Sequence, residues 1–369
     1  MAGVEEILRN RSSVKRIIEL DSLRGIAACI VVLCHLRAPF VATELKWYLR
    51  PIFDGHVSVI IFFVLSGYVL SLPFWLGTQL PYSKYLIRRF FRIYVPYAVA
   101  VCCSLIAGMN FLDSQLPLTK WFYICWHTPF TLRLIASQFL TIDTAGRINI
   151  AFWSLRYEME MSIAIPLICM FVRRLSVRMA LLLSFAIELV GFGGLHLFKD
   201  TGLGREVSTT IVWSSCFLLG ALLAKERKTI SKKYGTFSRP IRVALAACSV
   251  AMFYFGHDEV AIPGACLIIV LVQNSRAREW LQHPIPEYLG RISYSLYLLH
   301  GAIILSLTVL FYGRIPLWAL VSLCLALSVA MSHFFCLLVE EPAMRIGKRL
   351  AKSFQKANDA TEKQAMLQS

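Results

Sequence analysis

The chain has 369 residues, of which 57% are hydrophobic and only 16% carry a formal charge, and its mean hydropathy is +0.62. A typical soluble domain carries about 25% charged residues, so this composition excludes a water-soluble globular protein and indicates a membrane protein. The formal net charge of +16 would by itself favour nucleic-acid binding, so the position of the positive charges along the chain has to decide that question.

Ten apolar segments have about the length of a membrane-spanning helix, which needs roughly 20 residues. In chain order these predicted spans are 25–43, 57–76, 93–112, 151–172, 178–197, 209–224, 241–255, 259–274, 293–313 and 316–338. Pro117, Pro129 and Gly146 interrupt the segment 113–150, where we expect a long external loop. The predicted fold is all-α, a polytopic integral membrane protein with about ten transmembrane helices.

Lys and Arg are unevenly distributed between the segments that connect these spans. With a cytoplasmic N-terminus, the cytoplasmic segments hold 28 of the 38 basic residues and the external segments hold 9. This excess predicts that both termini are cytoplasmic, in a multi-pass protein of the inner or plasma membrane. Because the charge is spread over six cytoplasmic segments, no nucleic-acid partner is expected. The predicted organisation is a basic N-terminal segment 1–24, a transmembrane domain 25–340 and a basic C-terminal tail 341–369.

The eleven Cys and eight His do not form the spacings of a metal site or a disulfide framework. The sequence has no C-x-x-C pair and no H-E-x-x-H motif, and most Cys lie inside apolar segments. We therefore expect buried, unreactive thiols and no metal cofactor.

The first predicted span carries ionisable residues, which are costly in a bilayer and are therefore candidates for function. Arg24 and His35 are eleven residues apart, which is three helical turns plus about 20°. Both side chains therefore lie on one face of a helix, about 16 Å apart along its axis. This spacing places Arg24 at the level of the cytoplasmic headgroups and His35 near the middle of the membrane.

Polar residues of three other spans are predicted at a depth close to that of His35. They are Ser66 in the second span, Glu158 in the fourth and His300 in the ninth. Two simpler alternatives stay open. An intramembrane His is often a hydrogen-bonded packing residue, and Glu158 can pair with Arg156. Glu160 competes with Glu158 for any role in a site.

A basic rim, which we define as Arg88, Arg89 and Arg92, precedes the third span on the predicted cytoplasmic side. Guanidinium groups match the oxygens of a phosphate through paired hydrogen bonds. The rim therefore suits a cofactor with a phosphorylated head and a long arm that reaches towards His35. The same arginines also serve as ordinary cytoplasmic charges under the positive-inside rule.

Six motifs in order resemble the acyltransferase-3 family of membrane acyltransferases over most of the chain. The motifs are Leu20-Asp21-Ser22-Leu23-Arg24-Gly25-Ile26-Ala27 with His35, Phe62-Phe63-Val64-Leu65-Ser66-Gly67-Tyr68, the stretch Arg88 to Pro96, Phe152-Trp153-Ser154-Leu155 with Glu158, Ser293-Tyr294-Ser295-Leu296-Tyr297-Leu298-Leu299-His300, and Val339-Glu340-Glu341-Pro342. Each motif is weak alone, and their order on a chain of about ten spans makes the resemblance specific.

The resemblance implies transfer of an acyl group, most commonly acetyl, from cytoplasmic acyl-CoA to a hydroxyl of a carbohydrate or lipid-linked glycan. It implies that His35 is the essential histidine, as general base or transient acyl carrier, with Arg24 as its partner. The predicted site residues follow in three groups. They are His35, Arg24 and Glu158 for catalysis, Arg88, Arg89, Arg92, Ser66, Gly67 and Tyr68 for the acetyl-CoA co-substrate, and Asp21, Trp153, Tyr297 and His300 for the acceptor.

Two other classes of function remain open from the sequence. A transporter or flippase of a glycolipid or a small anion could use the same polar layer, and it would move its substrate without consuming acyl-CoA. A non-catalytic partner in polysaccharide assembly would tolerate the loss of both Arg24 and His35. The Arg–His pair on one helix face and the basic rim favour the enzyme. Besides membrane lipids, the sequence leaves a homo-oligomer open as a further partner.

Overall fold

The structure is a computed structural model, and it describes residues 17–41, 47–142, 145–198, 202–255 and 258–368. These residues form helices, turns and loops, and none of them lies in a β-strand. The prediction of an all-helical chain is therefore confirmed for the described part of the protein.

Each predicted span falls on one long helix, and we number the long helices in chain order. They are α1 Ile18–Arg37, α2 Gly55–Trp75, α3 Tyr82–Asn110, α4 Trp153–Arg174, α5 Val177–Leu197, α6 Gly202–Thr236, α7 Arg239–Phe255, α8 Asp258–Asn274, α9 Pro284–Phe311, α10 Leu317–Phe335 and α11 Glu341–Gln368. Shorter helical segments cover Trp47–Leu49, Arg50–Phe53, Phe122–Ile124, Leu132–Phe139, Ile150–Phe152 and Ala277–Leu281.

Six helical stretches of the described chain are long and apolar enough to cross a membrane. They are α2, α3, α5, α6, α9 and the stretch Leu317–Phe354, which begins with α10. The other four predicted spans do not reach this length and apolarity, for two physical reasons. Helices α1 and α4 each carry at least four charged residues, and α7 and α8 have only 17 residues each. The chain is a multi-pass membrane protein on this evidence.

The predicted boundaries of the first span are wrong. The helix runs Ile18–Arg37, so it begins and ends several residues before the predicted 25–43. Pro39 explains the early end, because proline has no backbone N–H with which to continue the helical hydrogen bonds. Glu19 and Asp21 explain the early start, since acidic side chains stabilise the first turn of a helix. His35 consequently lies two residues before the end of α1, and not at its middle.

The sixth span also differs from its prediction, because α6 has 35 residues and extends well beyond the predicted 209–224. A helix of this length measures about 52 Å, against a hydrocarbon core of about 30 Å. Hydropathy marks only its apolar part. The basic segment that follows 224 continues the helix because Lys, Arg and Glu are good helix formers.

The chain divides into two compact units. The first unit comprises Met1–Thr78 and Glu160–Ser293. In it, α2 packs against α1, α6 and α8, and α6 also packs against α5. A Cβ atom built on Gly55 would lie 3.2 Å from Cβ of Cys34, so α1 and α2 are antiparallel. The ring of Trp213 contacts those of His56 and Phe63 near the start of α2, while Phe217 contacts Gly67 further along, so α6 runs parallel to α2.

The second unit comprises Gln79–Met159 and Tyr294–Ser369. One of its cores consists of Phe122, Cys125 and Trp126 packed against Ala302 and Leu305 of α9. The Cys125 thiol donates a hydrogen bond to the carbonyl oxygen of Gly146, and burial raises its pKa to about 12. That thiol therefore stays protonated and unreactive at neutral pH.

Two π-helical turns interrupt the helices of the second unit, Phe90–Tyr94 inside α3 and Cys336–Glu340 between α10 and α11. Such turns disturb the regular helical hydrogen bonds and occur often at functional sites. The hydroxyl of Tyr294 donates to the carbonyl oxygen of Ile93 at 2.8 Å, within the first turn. The hydroxyl of Ser295 donates to Oε2 of Glu340 at 2.7 Å, at the end of the second.

Candidate active site

Helix α1 carries three of the predicted site residues without interruption. Because α1 is a regular helix from Ile18 to Arg37, the eleven-residue spacing places Arg24 and His35 on one face, about 16 Å apart along the axis. Arg24 Nη1 donates to Asp21 Oδ1 at 3.1 Å, and both side chains are 18% exposed. This short-range ion pair holds the guanidinium beside the first turns of α1. His35 is partly buried near the other end.

The end of α1 that carries His35 meets the start of α2. Cys34, the neighbour of His35, lies against Gly55, and His56 follows Gly55. His56 Nε2 is 2.7 Å from Asp258 Oδ1 at the start of α8, and its ring packs edge-on to Trp213. This imidazole–carboxylate pair cannot be recognised from spacing, because its members are 202 residues apart.

Three consecutive residues of α2 were predicted to bind the co-substrate, and the structure separates their roles. Ser66 is buried. A Cβ on Gly67 would lie 2.6 Å from Cα of Phe217, so this glycine permits close packing of α2 against α6. Tyr68 lines a cavity of about 230 Å³ together with residues of α6 and α8. Of these three residues, Tyr68 is the one that lines this cavity.

The basic rim lies in the second unit, at the π-helical turn of α3. Arg89 Nη2 is 3.6 Å from Glu158 Oε1, and the two side chains are 14% and 26% exposed. The structure thus brings a predicted phosphate ligand and a predicted catalytic carboxylate together as an ion pair. Arg92 is exposed, and Nε of Arg88 is buried with no hydrogen-bond acceptor among the described residues.

We expect Arg89 and Glu158 to be energetically coupled. Changing Arg89→Gln or Glu158→Gln alone leaves a partly buried charge without its partner, whereas the double variant removes both charges. The double variant should therefore be more stable than the sum of the two single effects predicts, by about 0.5–3 kcal/mol. Thermal unfolding of the four purified proteins in one detergent measures this coupling. Strictly additive effects would contradict the ion pair.

The residues predicted to bind the acceptor in the second unit are mostly buried. Tyr297 is 6% exposed, and its hydroxyl lies 2.7 Å from that of Ser154. His300 is fully buried, and its Nδ1 donates to the carbonyl oxygen of Leu296 at 2.9 Å. Trp153 packs edge-on to Tyr157. These contacts are those of packing residues within the unit, and they leave the predicted roles in acceptor binding untested.

The structure also identifies buried polar residues that the sequence analysis did not select. Glu19 of α1 is 2% exposed and pairs with Arg278 at 2.9 Å. Asn149 is fully buried, and its Nδ2 donates to Ser104 Oγ and to the carbonyl oxygen of Leu298, both at 3.1 Å. Neither could be recognised from spacing, since their partners are distant in the sequence. Glu19 lies in the predicted segment 1–24 and Asn149 in the predicted loop 113–150, so hydropathy provides no signal for either.

Comparison with known proteins agrees with this architecture. The acyltransferase-3 family, described as an acyltransferase domain, matches residues 17–335. The chain is 25% identical over 361 residues to O-acetyltransferase PaAT-1 of Phomopsis amygdali, covering 77% of this chain and 71% of that protein. It is 25% identical over 372 residues to acyltransferase MdmB of Streptomyces mycarofaciens, covering 90% and 94%. No solved structure matches the chain. The family match covers most of the helical domain, and the chain therefore belongs to the acyltransferase-3 family.

Proposed function

We propose that this protein is a membrane O-acyltransferase that moves an acyl group, most simply acetyl, from acyl-CoA to a hydroxyl of a carbohydrate acceptor. The acceptor is a sugar of a surface polysaccharide, a lipopolysaccharide or a glycolipid precursor. The observation that carries the proposal is the placement of Arg24 and His35 on one face of the uninterrupted helix α1. Family membership supports acyl transfer, and the name of PaAT-1 supports an acetyl group and an oxygen acceptor.

The chemistry assigns one proton transfer to His35. As general base, the imidazole takes the proton from the acceptor hydroxyl while its oxygen attacks the thioester carbonyl. The carbon–sulfur bond then breaks, CoA leaves as a thiolate, and the imidazolium returns the proton to that sulfur. The products are an acyl ester and free CoA, so no other reactant is needed. Arg24, beside Asp21 at the other end of α1, attracts the negatively charged donor.

The position of His35 suggests where the acceptor binds. His35 lies two residues before the end of α1, and Arg24 lies about 16 Å away towards the other end. We propose that the donor enters at the Arg24 end and that the acceptor hydroxyl reaches His35 from the opposite end. Donor and acceptor then meet without passing each other.

Mass spectrometry of surface glycans tests the function. Cells that express the protein should carry one additional acyl mass on one sugar, and cells without it should lack that mass. The mass of the increment names the acyl group, and the modified sugar names the acceptor. Glycans that are identical in both strains, together with acyl-CoA that is not consumed, would instead favour a transporter or a non-catalytic assembly partner.

We further propose that the chain crosses the membrane ten times, with the segments 1–24 and 341–369 in the cytoplasm. The membrane is the inner or plasma membrane of the cell. The directions of α1, α2 and α6 in the first unit agree with this alternation. Helices α7 and α8 measure about 26 Å, which a locally thinned bilayer accommodates.

Reporter fusions in a bacterial host should give opposite results on the two sides of α10. Alkaline phosphatase needs disulfides, so it is active only when exported from the reducing cytoplasm. We expect activity for a fusion after Gly313, which follows α9, and none for a fusion after Ser369. A cytoplasmic fluorescent protein at the same two positions is the control and should give the reverse pattern. An active phosphatase after Ser369 would contradict the proposed topology.

A further inference from the structure

The first unit contains a polar cavity, and Tyr68 is the one residue of its lining that the sequence predicts as a binding residue. The cavity has a volume of about 230 Å³ and lies between α2, α6 and α8. Four of its lining side chains are aliphatic, and six are polar. The polar ones are Tyr68, Arg227, Lys228, Ser231, Gln273 and Asn274. Both charged groups in the lining are therefore cations.

These two cations are not neutralised by the rest of the described chain. Neither Arg227 nor Lys228 lies within 4.0 Å of a carboxylate of the described residues. Arg227 Nη1 donates to the carbonyl oxygen of Ala224 at 2.8 Å, which uses one of the five N–H groups of the guanidinium and restrains its position. A cavity with two uncompensated positive charges is suited to an anion.

The chemistry of the cavity lining suits a phosphate group. A guanidinium offers two parallel N–H donors to neighbouring phosphate oxygens, and an ammonium adds a second positive charge. The hydroxyls of Tyr68 and Ser231 are additional donors. The volume is below the roughly 300–1,000 Å³ of pockets that enclose drug-sized molecules, so it suits a phosphate with its nearest atoms while the remainder of the ligand lies outside.

The cavity also lies at the end of α1 that carries Arg24. Gln273 of its lining donates to Oε1 of Glu19 at 3.4 Å, and Glu19 is in the first turn of α1. Arg24 comes five residues after Glu19, and His35 sixteen residues after it, about 24 Å along the helix axis. Five residues turn a helix by about 140°, so the cavity lies at the Arg24 end of α1, beside the face that carries Glu19.

We propose that this cavity binds the phosphate group of a substrate or lipid, with Arg227 and Lys228 as its principal ligands. The proposal rests on the proposed function in one respect, because acyl-CoA is the phosphate-bearing ligand that the reaction requires. The headgroup of an anionic membrane lipid carries the same chemistry. The nucleotide end of acyl-CoA is the source that the proposed reaction favours.

Calorimetric titration of the purified full-length protein tests the site. The probes are 3′,5′-ADP, which reproduces the phosphorylated end of CoA, and dioctanoyl phosphatidic acid, which reproduces an anionic lipid. We compare the wild type with Arg227→Gln/Lys228→Gln and with Lys232→Gln/Lys233→Gln. The second pair is the matched control, because it removes the same charge from exposed positions of α6 outside the cavity.

The cavity variant should bind the phosphate probe about tenfold more weakly or worse, since a hydrogen bond to a charged group contributes about 1.5–3 kcal/mol. The control should stay within about twofold of the wild type, because neither of its two lysines lines the cavity. Loss of 3′,5′-ADP binding assigns the cavity to the donor, and loss of phosphatidic acid binding alone assigns it to a lipid. Equal affinities of cavity variant and control for both probes would overturn the proposal.

Transfer kinetics separate this proposal from the proposed function. A cavity that holds the donor predicts a raised KM for acyl-CoA in Arg227→Gln/Lys228→Gln with kcat nearly unchanged. Suppose that the wild type transfers no acyl group, while the cavity variant binds 3′,5′-ADP more weakly than the wild type does. The proposed function then fails and the phosphate site stands. Should the double variant not purify, Lys228→Gln is compared with Lys232→Gln, so that each protein loses one exposed charge and only the first loses it from the cavity.

Discussion

Replacing His35 with Ala is expected to lower the rate of acyl transfer by about 10²–10⁴-fold, the usual contribution of a positioned general base. The reason is that the acceptor hydroxyl is a weak nucleophile until a base removes its proton. The side chain is only partly buried near the end of α1, so its loss should not prevent membrane insertion. The measurement is the acyl-CoA-dependent release of free thiol by membranes that contain equal amounts of each protein.

His196→Ala is the matched control for this measurement. His196 is an exposed histidine near the end of α5, in the same unit as His35, and the proposed mechanism gives it no role. The control should transfer acyl groups at the wild-type rate. Full activity of the His35→Ala protein would eliminate the proposed mechanism, while equal losses in both variants would point to a general defect of folding.

Each predicted span falls on a long helix of the structure, and the prediction failed where polar residues belong to a helix, as in α11. Spans appear as runs of apolar residues, so the charged first turn of α1 and the basic continuation of α6 were excluded from the predicted segments. That error has a functional consequence. It placed His35 near the middle of the membrane on a helix predicted to continue to residue 43, whereas α1 ends two residues after His35.

The candidate site was predictable only for residues within one helix. Arg24, Asp21 and His35 follow from spacing because a helix repeats regularly. The pairing of Arg89 with Glu158 and of His56 with Asp258 joins distant segments, and no rule of spacing could supply it. The two cations in the lining of the proposed phosphate cavity were not predicted as ligands, for another reason. Arg227 and Lys228 lie in a basic segment that the positive-inside rule already explained.

Gly67 shows why a motif residue need not be a binding residue, and its substitution should have the larger effect on stability. A Cβ at this position would lie 2.6 Å from Cα of Phe217 and close to its carbonyl oxygen, so the clash is with backbone of α6. Backbone in a packed helix cannot rotate away as a side chain can, and overpacking of this kind costs about 1–3 kcal/mol, occasionally more.

We therefore expect Gly67→Ala to lower the unfolding temperature in detergent, and acyl transfer to fall with the amount of folded protein. Gly193→Ala is the matched control, because a Cβ on Gly193 of α5 would meet no atom within 4 Å. Replacing a glycine by alanine in a helix otherwise gains about 1 kcal/mol, so the control should be stabilised or unchanged. The two variants carry the same chemical change and should move stability in opposite directions. An unaltered unfolding temperature for Gly67→Ala, with a raised KM for acyl-CoA, would instead return this glycine to the co-substrate site.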